Sequence, residues 1–191
     1  MNPSLARTFF ARGAEELARD LVGRTLARSL PDGCVLRGRL VEVEAYVGTE
    51  DKACHAHRGK TARNAAMFGP PGHAYVYLVY GMHHMLNLVC AQEGNPQAVL
   101  VRALEPLEPL LPGTPWRGPG VLCREWSIDR SHDGLDLCAG RGIWLESGTP
   151  ADLSEIVSSP RIGVDYAEEW KDAPLRFCLR GSAHVSGKRL S

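Results

Sequence analysis

"YVYLVYGMHHMLN", residues 75–87, is the stretch from which the fold is read. Aromatic and β-branched residues run up to a single glycine and a second apolar run leads away, the pattern of strand, turn and strand. Along a strand alternate residues share a face, so Tyr75 and Tyr77 lie on one side and Leu78 and Tyr80 on the other. Core packing is the ordinary reading of Tyr75 and Tyr77. Tyr80 stands beside Gly81 at the tip, where there is little to pack against, and a rigid aromatic there is a candidate wedge for a base stack. In the second strand Asn87 shares a side with Met85 and Val89. An amide in an apolar strand needs partners, so Asn87 is either a satisfied core amide or part of a pocket wall.

Working outward, "RTLARSL" (24–30), the Pro31-Asp32-Gly33 turn and "CVLRGRLVEVEAYV" (34–47) form another hairpin. Ahead of it Ala14, Leu17, Ala18 and Leu21 recur at helical spacing, with Gly23 placed to end the helix. Residues 50–71 are polar and rich in Gly and Ala, a loop with at most a short helix around 61–67. "AVLVRAL" (98–104) is a further strand, and "RGIWLES" (141–147) and "LRFCLRG" (175–181) are late ones. "VLCREW" (121–126) is a short helix opening at Gly120, after a Pro-rich stretch that cannot hold a long one. Hairpins outnumber strand–helix alternations, which predicts an α+β fold. The expected form is a single domain over 1–191, with a mainly antiparallel curved sheet, short helices and a protruding β-hairpin.

No apolar run reaches the ~20 residues of a membrane-crossing helix, and the N-terminal stretch lacks the apolar core of a secretory signal; a cytoplasmic protein is expected. Six scattered cysteines without a C-x-x-C predict neither a disulfide framework nor a zinc site. Net charge is zero, but 18 of the 22 basic residues are Arg, the better partner for planar phosphate contacts. Composition leaves the partner open.

"VEVEAY" (41–46) places Glu42, Glu44 and Tyr46 on one strand face, with the carboxylates ~7 Å apart. Either this is a solvent-facing acidic edge, or one glutamate is a general base. The loop that follows supplies His55, His57 and Arg63. Two His at i and i+2 form a weak metal signature without a third ligand at a characteristic spacing. Arg102 in "AVLVRAL" is either a buried ion pair or a phosphate contact. G-x-S-x-G, the P-loop pattern and G-x-G-x-x-G are all absent, so neither a serine hydrolase nor a nucleotide cofactor is signalled.

Taken together, "GRLVEVEAYVGTEDKACHAHRG" (38–59), "TARNAAMFGPPGHAYVYLVYGMHHMLNLV" (61–89) and "AVLVRALEPLE" (98–108) resemble the alkyladenine (3-methyladenine, methylpurine) DNA glycosylase family. "GPGVLC" (118–123), "PRIGV" (160–164) and "PLRFCLRGS" (174–182) are weaker echoes. The resemblance runs in order over nearly the whole chain. It implies that Glu44 activates the water attacking the sugar carbon of a flipped nucleotide, assisted by Arg102, and that Tyr80 fills the gap left in the duplex. Tyr46, His55 and Tyr77 would hold the flipped purine, Asn87 would screen it at the wall, and Arg63 and Met67 would lie near the DNA.

The implied activity is hydrolysis of the N-glycosidic bond of alkylated or deaminated purines (3-methyladenine, 7-methylguanine, hypoxanthine, ethenoadenine) in double-stranded DNA. The enzyme would act as a monomer, associated with the nucleoid in a bacterium. No lysine falls in the expected pocket strands, which favours water as nucleophile and a monofunctional enzyme with no metal and no cofactor. Two features depart from the family: "PLLPGTPWR" (109–117) replaces a longer basic region, and Val121 stands where a basic residue is common. Fewer phosphate contacts should weaken DNA binding. The alternatives are a catalytically idle damaged-DNA-binding module and, less favoured, a metal hydrolase using His55, His57 and a carboxylate.

Overall fold

The structure, a computed structural model, describes residues 4–107 and 116–187. Most of the "PLLPGTPWR" segment therefore lies outside the described residues. Eight strands make one sheet: β1 (Thr25–Ser29), β2 (Val35–Tyr46), β3 (Ala74–Val79), β4 (His83–Cys90), β5 (Gln97–Pro106), β6 (Ile143–Leu145), β7 (Ile156–Ser159) and β8 (Arg176–Leu179). The helices are short: α1 (Arg7–Phe10), α2 (Ala14–Leu21) and α3 (Pro119–Glu125). This is the α+β architecture expected, and every strand pair among the described residues is antiparallel.

The strand order is β3-β4-β5-β2-β1-β6, and β8 also pairs with β2 while carrying β7 on its other side. β2 is long enough to hold two partners in succession: Thr25–Ser29 pair with its first half, and Arg176–Cys178 pair with Glu42–Glu44. Its burial changes accordingly. In the first half alternate residues are buried, as for a one-sided strand. From Val41 to Ala45 every residue is buried.

One face of the sheet carries the main core, where the apolar stripe of α2 (Ala14, Leu17, Ala18, Leu21) joins Leu40, Val41, Val43 and Val101. Two smaller clusters lie around the pocket residues, one of Cys54, Ala56, Met67, Tyr75, Val89 and Ala98, the other of Ala53, Val164 and Ala167. Tyr46 packs against both.

Four elements differ from the sequence reading. The short helix near 61–67 is a 3₁₀ turn at Ala65–Phe68, and α3 opens one residue early, on Pro119, a residue suited to the first helical position because its missing N–H needs no partner there. β7 and α1, four residues each, were not expected: neither is long enough to show a period.

Candidate active site

The site begins with an irregularity in the β2–β5 ladder. Leu40 faces Leu104 and Glu42 faces Ala103, so the register slips by a residue, and it returns at Val43–Val101. Val41 and Arg102 are left without opposite partners. Such bulges re-aim side chains and recur beside active sites; here one brings Arg102 to the acidic face of β2.

Glu42 and Glu44 are fully buried, which excludes the solvent-facing acidic edge: β8 and the 160–164 segment cover that face. Two buried carboxylates this close persist only when paired and hydrogen-bonded, and their partners distinguish them. Glu42 Oε1 accepts from Arg102 Nε (2.9 Å), Arg176 Nε (2.7 Å) and Ser186 Oγ (2.9 Å), and Oε2 accepts from the Ser186 N–H. Four donors, two of them arginines, meet this carboxylate. Glu44 Oε1 accepts from the Ile162 N–H (2.7 Å) and lies 3.2 Å from Arg102 Nη1, while Oε2 takes only the Tyr46 hydroxyl (3.0 Å). One acceptor position on Oε2 therefore has no partner among the described residues. Burial works against the Arg102 charge, but Glu44 and Glu42 outweigh it and hold its pKa above the ordinary value.

In front of this cluster is a cavity of about 250 Å³ lined by Tyr46, His55, Met67, Tyr75, Tyr77, Tyr80, Asn87, Arg102, Ile162 and Tyr166, among others. It is just below the roughly 300–1,000 Å³ usual for ligand sites, which suits a single planar ring system. Glu44 does not line it directly but bonds to Tyr46 and pairs with Arg102, which do. Burial, then Glu44, pushes the Tyr46 phenol well above its ordinary pKa, so it stays a donor. The opposite wall is a stack of rings: His55 meets Tyr77 edge-on at 4.4 Å, and Tyr77 lies 5.2 Å from Tyr75. Burial and the Tyr75 charge raise the Tyr77 pKa too.

Core packing was the ordinary reading of Tyr75, and it is indeed buried, but its hydroxyl lies 3.0 Å from His55 Nδ1 and fixes the imidazole at the cavity. Partial burial and the Arg63 charge lower the His55 pKa, so the ring is neutral near pH 7. Its outer edge still reaches solvent, which moderates the shift. His57 turns away, its Nδ1 2.8 Å from the Thr49 carbonyl. Both readings of Asn87 hold at once, since Nδ2 donates to the Tyr75 carbonyl at 3.1 Å while the residue lines the cavity.

Tyr80 departs from the strand reading. Alternation put it on the face away from Tyr75 and Tyr77, yet it lines their cavity. The period ends at Val79: Tyr80 and Gly81 have φ of 52° and 71°, and the Met82 N–H closes on the Val79 carbonyl at 3.1 Å. The tyrosine is 89% exposed. Arg63 is at the surface, with Nη2 on the Leu78 carbonyl (3.1 Å). Met67 is 2% exposed and sits in the cavity wall, where it meets what enters the cavity.

Sequence reasoning missed three residues here. Arg161 forks onto Asp51, both side chains fully buried, and Tyr166 stands 67% exposed at the cavity rim. None sits in a periodic segment, and only "PRIGV" hinted at the first.

Comparison with known proteins agrees with this geometry. A family model described as methylpurine-DNA glycosylase matches residues 8–183. The chain is 51% identical over 195 residues to a protein of Methanocella arvoryzae named as a candidate 3-methyladenine DNA glycosylase, covering 96% of each chain. It is 43% identical over 204 residues to the human DNA-3-methyladenine glycosylase, covering 95% of this chain and 67% of the human one.

Proposed function

Because the chain belongs to the methylpurine-DNA glycosylase family, we propose that it is a DNA-repair hydrolase of N-glycosyl bonds acting on alkylated and deaminated purines. The target base is extruded from double-stranded DNA into the aromatic cavity, Tyr80 takes its place in the stack, and water cleaves the bond to leave an abasic site. A base within the duplex is out of reach, so extrusion must precede chemistry, and damaged bases are the cheapest to unstack.

The observation that carries this reading is the contrast between the two buried glutamates. Glu42 is held by four donors, two of them arginines, whereas Glu44 accepts from the Tyr46 hydroxyl of the cavity wall on an oxygen with no second partner among the described residues. A water donating to Oε2 gains nucleophilicity, and the carboxylate stabilises positive charge building on the sugar. Arg102 sets a positive charge 3.2 Å from Glu44. A purine methylated at N3 or N7 is already a cationic leaving group, drawn to the ring faces of Tyr46 and Tyr77. A neutral purine such as hypoxanthine needs hydrogen bonds instead, and His55 and Asn87 carry them. No lysine lines the cavity among the described residues, which supports water over an amine nucleophile. We assign no cofactor and a monomeric enzyme.

Glu44→Gln tests the assignment. Under single-turnover conditions excision should fall at least 100-fold while affinity for damaged DNA stays within about threefold. Wild-type turnover in this variant would remove Glu44 from the chemistry.

A further inference from the structure

Arg161 is the most heavily bonded side chain behind the cavity that the reaction just described does not use. Nη1 donates to the Ala45 carbonyl (2.9 Å) and to Asp51 Oδ2 (2.5 Å); Nη2 donates to Asp51 Oδ1 (2.8 Å) and to the Trp170 carbonyl (3.4 Å). Its guanidinium carbon lies 4.7 Å from the centre of the Tyr46 ring. Three segments are thereby tied together. Ala45 is the residue between Glu44 and Tyr46. Asp51, which also accepts from the Val47 and Ala53 N–H groups, holds the loop leading to His55. Trp170 belongs to the turn that follows the cavity rim. One residue beyond Arg161, the Ile162 N–H makes the shortest bond to Glu44 Oε1.

This is a costly way to hold a loop. Both charges are stripped of water, Arg161 Nε has no partner among the described residues, and apolar side chains could fill the space at no such cost. We propose that Arg161 is a positioning residue for base excision: it keeps the Ile162 N–H on Glu44 and backs the Tyr46 ring, so that the carboxylate and the phenol hold their places at the cavity wall. The proposal rests on the reading of Glu44 as the base.

The electrostatic consequence has a definite sign. Around Glu44 stand Arg102 from β5, Arg176 opposite it on β8, Glu42 and Tyr46 from its own strand, Tyr77 from β3, and Arg161 with Asp51 from the loops. An amide donating to the carboxylate favours its charged form. Loosening the Ile162 N–H removes that donor, and the acidic limb of the excision profile is expected at higher pH in the variant.

The experiment measures single-turnover excision from pH 5 to 8 on a duplex carrying 7-methylguanine, a base that is already cationic throughout the acidic limb, so that limb belongs to the enzyme. Arg161→Met is compared with Arg161→Lys, which keeps the charge beside Asp51 but not the fork; should the methionine variant fail to fold, the lysine variant carries the test. We expect rate losses of roughly 100-fold and 10-fold respectively. Damaged-DNA affinity should stay within threefold, and the acidic limb should be displaced upward in both. A folded variant with the wild-type rate and limb overturns the proposal. So does a rate loss matched by lost DNA affinity with the limb unmoved, since that marks a merely structural role. Wild-type protein that excises nothing overturns the reading of the site itself, and the inference with it.

Discussion

Tyr80 shows most sharply what a single residue does here. A non-glycine residue with positive φ is strained by about 1 kcal/mol or more, and the strain falls on an aromatic that is almost wholly exposed. Stability would place asparagine there, because Asn-Gly is the favoured pair where two successive turn residues have positive φ. Tyr80→Asn should accordingly raise stability by about 0.5–1 kcal/mol in urea unfolding and weaken binding to damaged duplex at least tenfold. A variant equal to wild type in both would reject the wedge. Period-two alternation in the sequence correctly placed Tyr75 and Tyr77 together and Asn87 beside Met85. It misplaced Tyr80 because alternation stops where the backbone turns left-handed, and a tyrosine before glycine does not announce that it will.

Among the elements, β2 decides the site. Its hairpin with β1 and the β3–β4 hairpin were legible from turn residues and β-branched runs, and α2 from its apolar period. The double irregularity opposite β5 was not, since it arises from tertiary pairing. Nor was the cover over Glu42 and Glu44, which comes from β8 and the 160–164 segment, more than a hundred residues away. Close approach of β2 to β5 also depends on Gly38, where a Cβ would fall 2.8 Å from Leu104 Cβ and 3.2 Å from Trp116. Gly38→Ala should therefore cost about 1–3 kcal/mol, read as a lowered urea midpoint with an unchanged slope; no loss would mean that the strands part without penalty.

At the scale of the molecule, zero net charge conceals a buried balance of four acids and four arginines among the described residues, and three of each meet behind the cavity: Glu42, Glu44 and Asp51 against Arg102, Arg161 and Arg176. Removing one partner of a buried pair leaves the other uncompensated, so Glu42→Gln should destabilise the fold by about 3 kcal/mol. Glu44→Gln, with fewer donors to strand, should cost less stability and more activity; equal stability loss in both would contradict this division of labour. The central claim is that this fold excises damaged purines with its own side chains and water. Its most direct measurement incubates the protein in EDTA with duplexes carrying a single hypoxanthine or a single 7-methylguanine, and reads abasic sites by alkali cleavage. Product from at least one duplex, with strand scission only after alkali, is the predicted result. Intact strands from both despite binding, or scission without alkali, would contradict it.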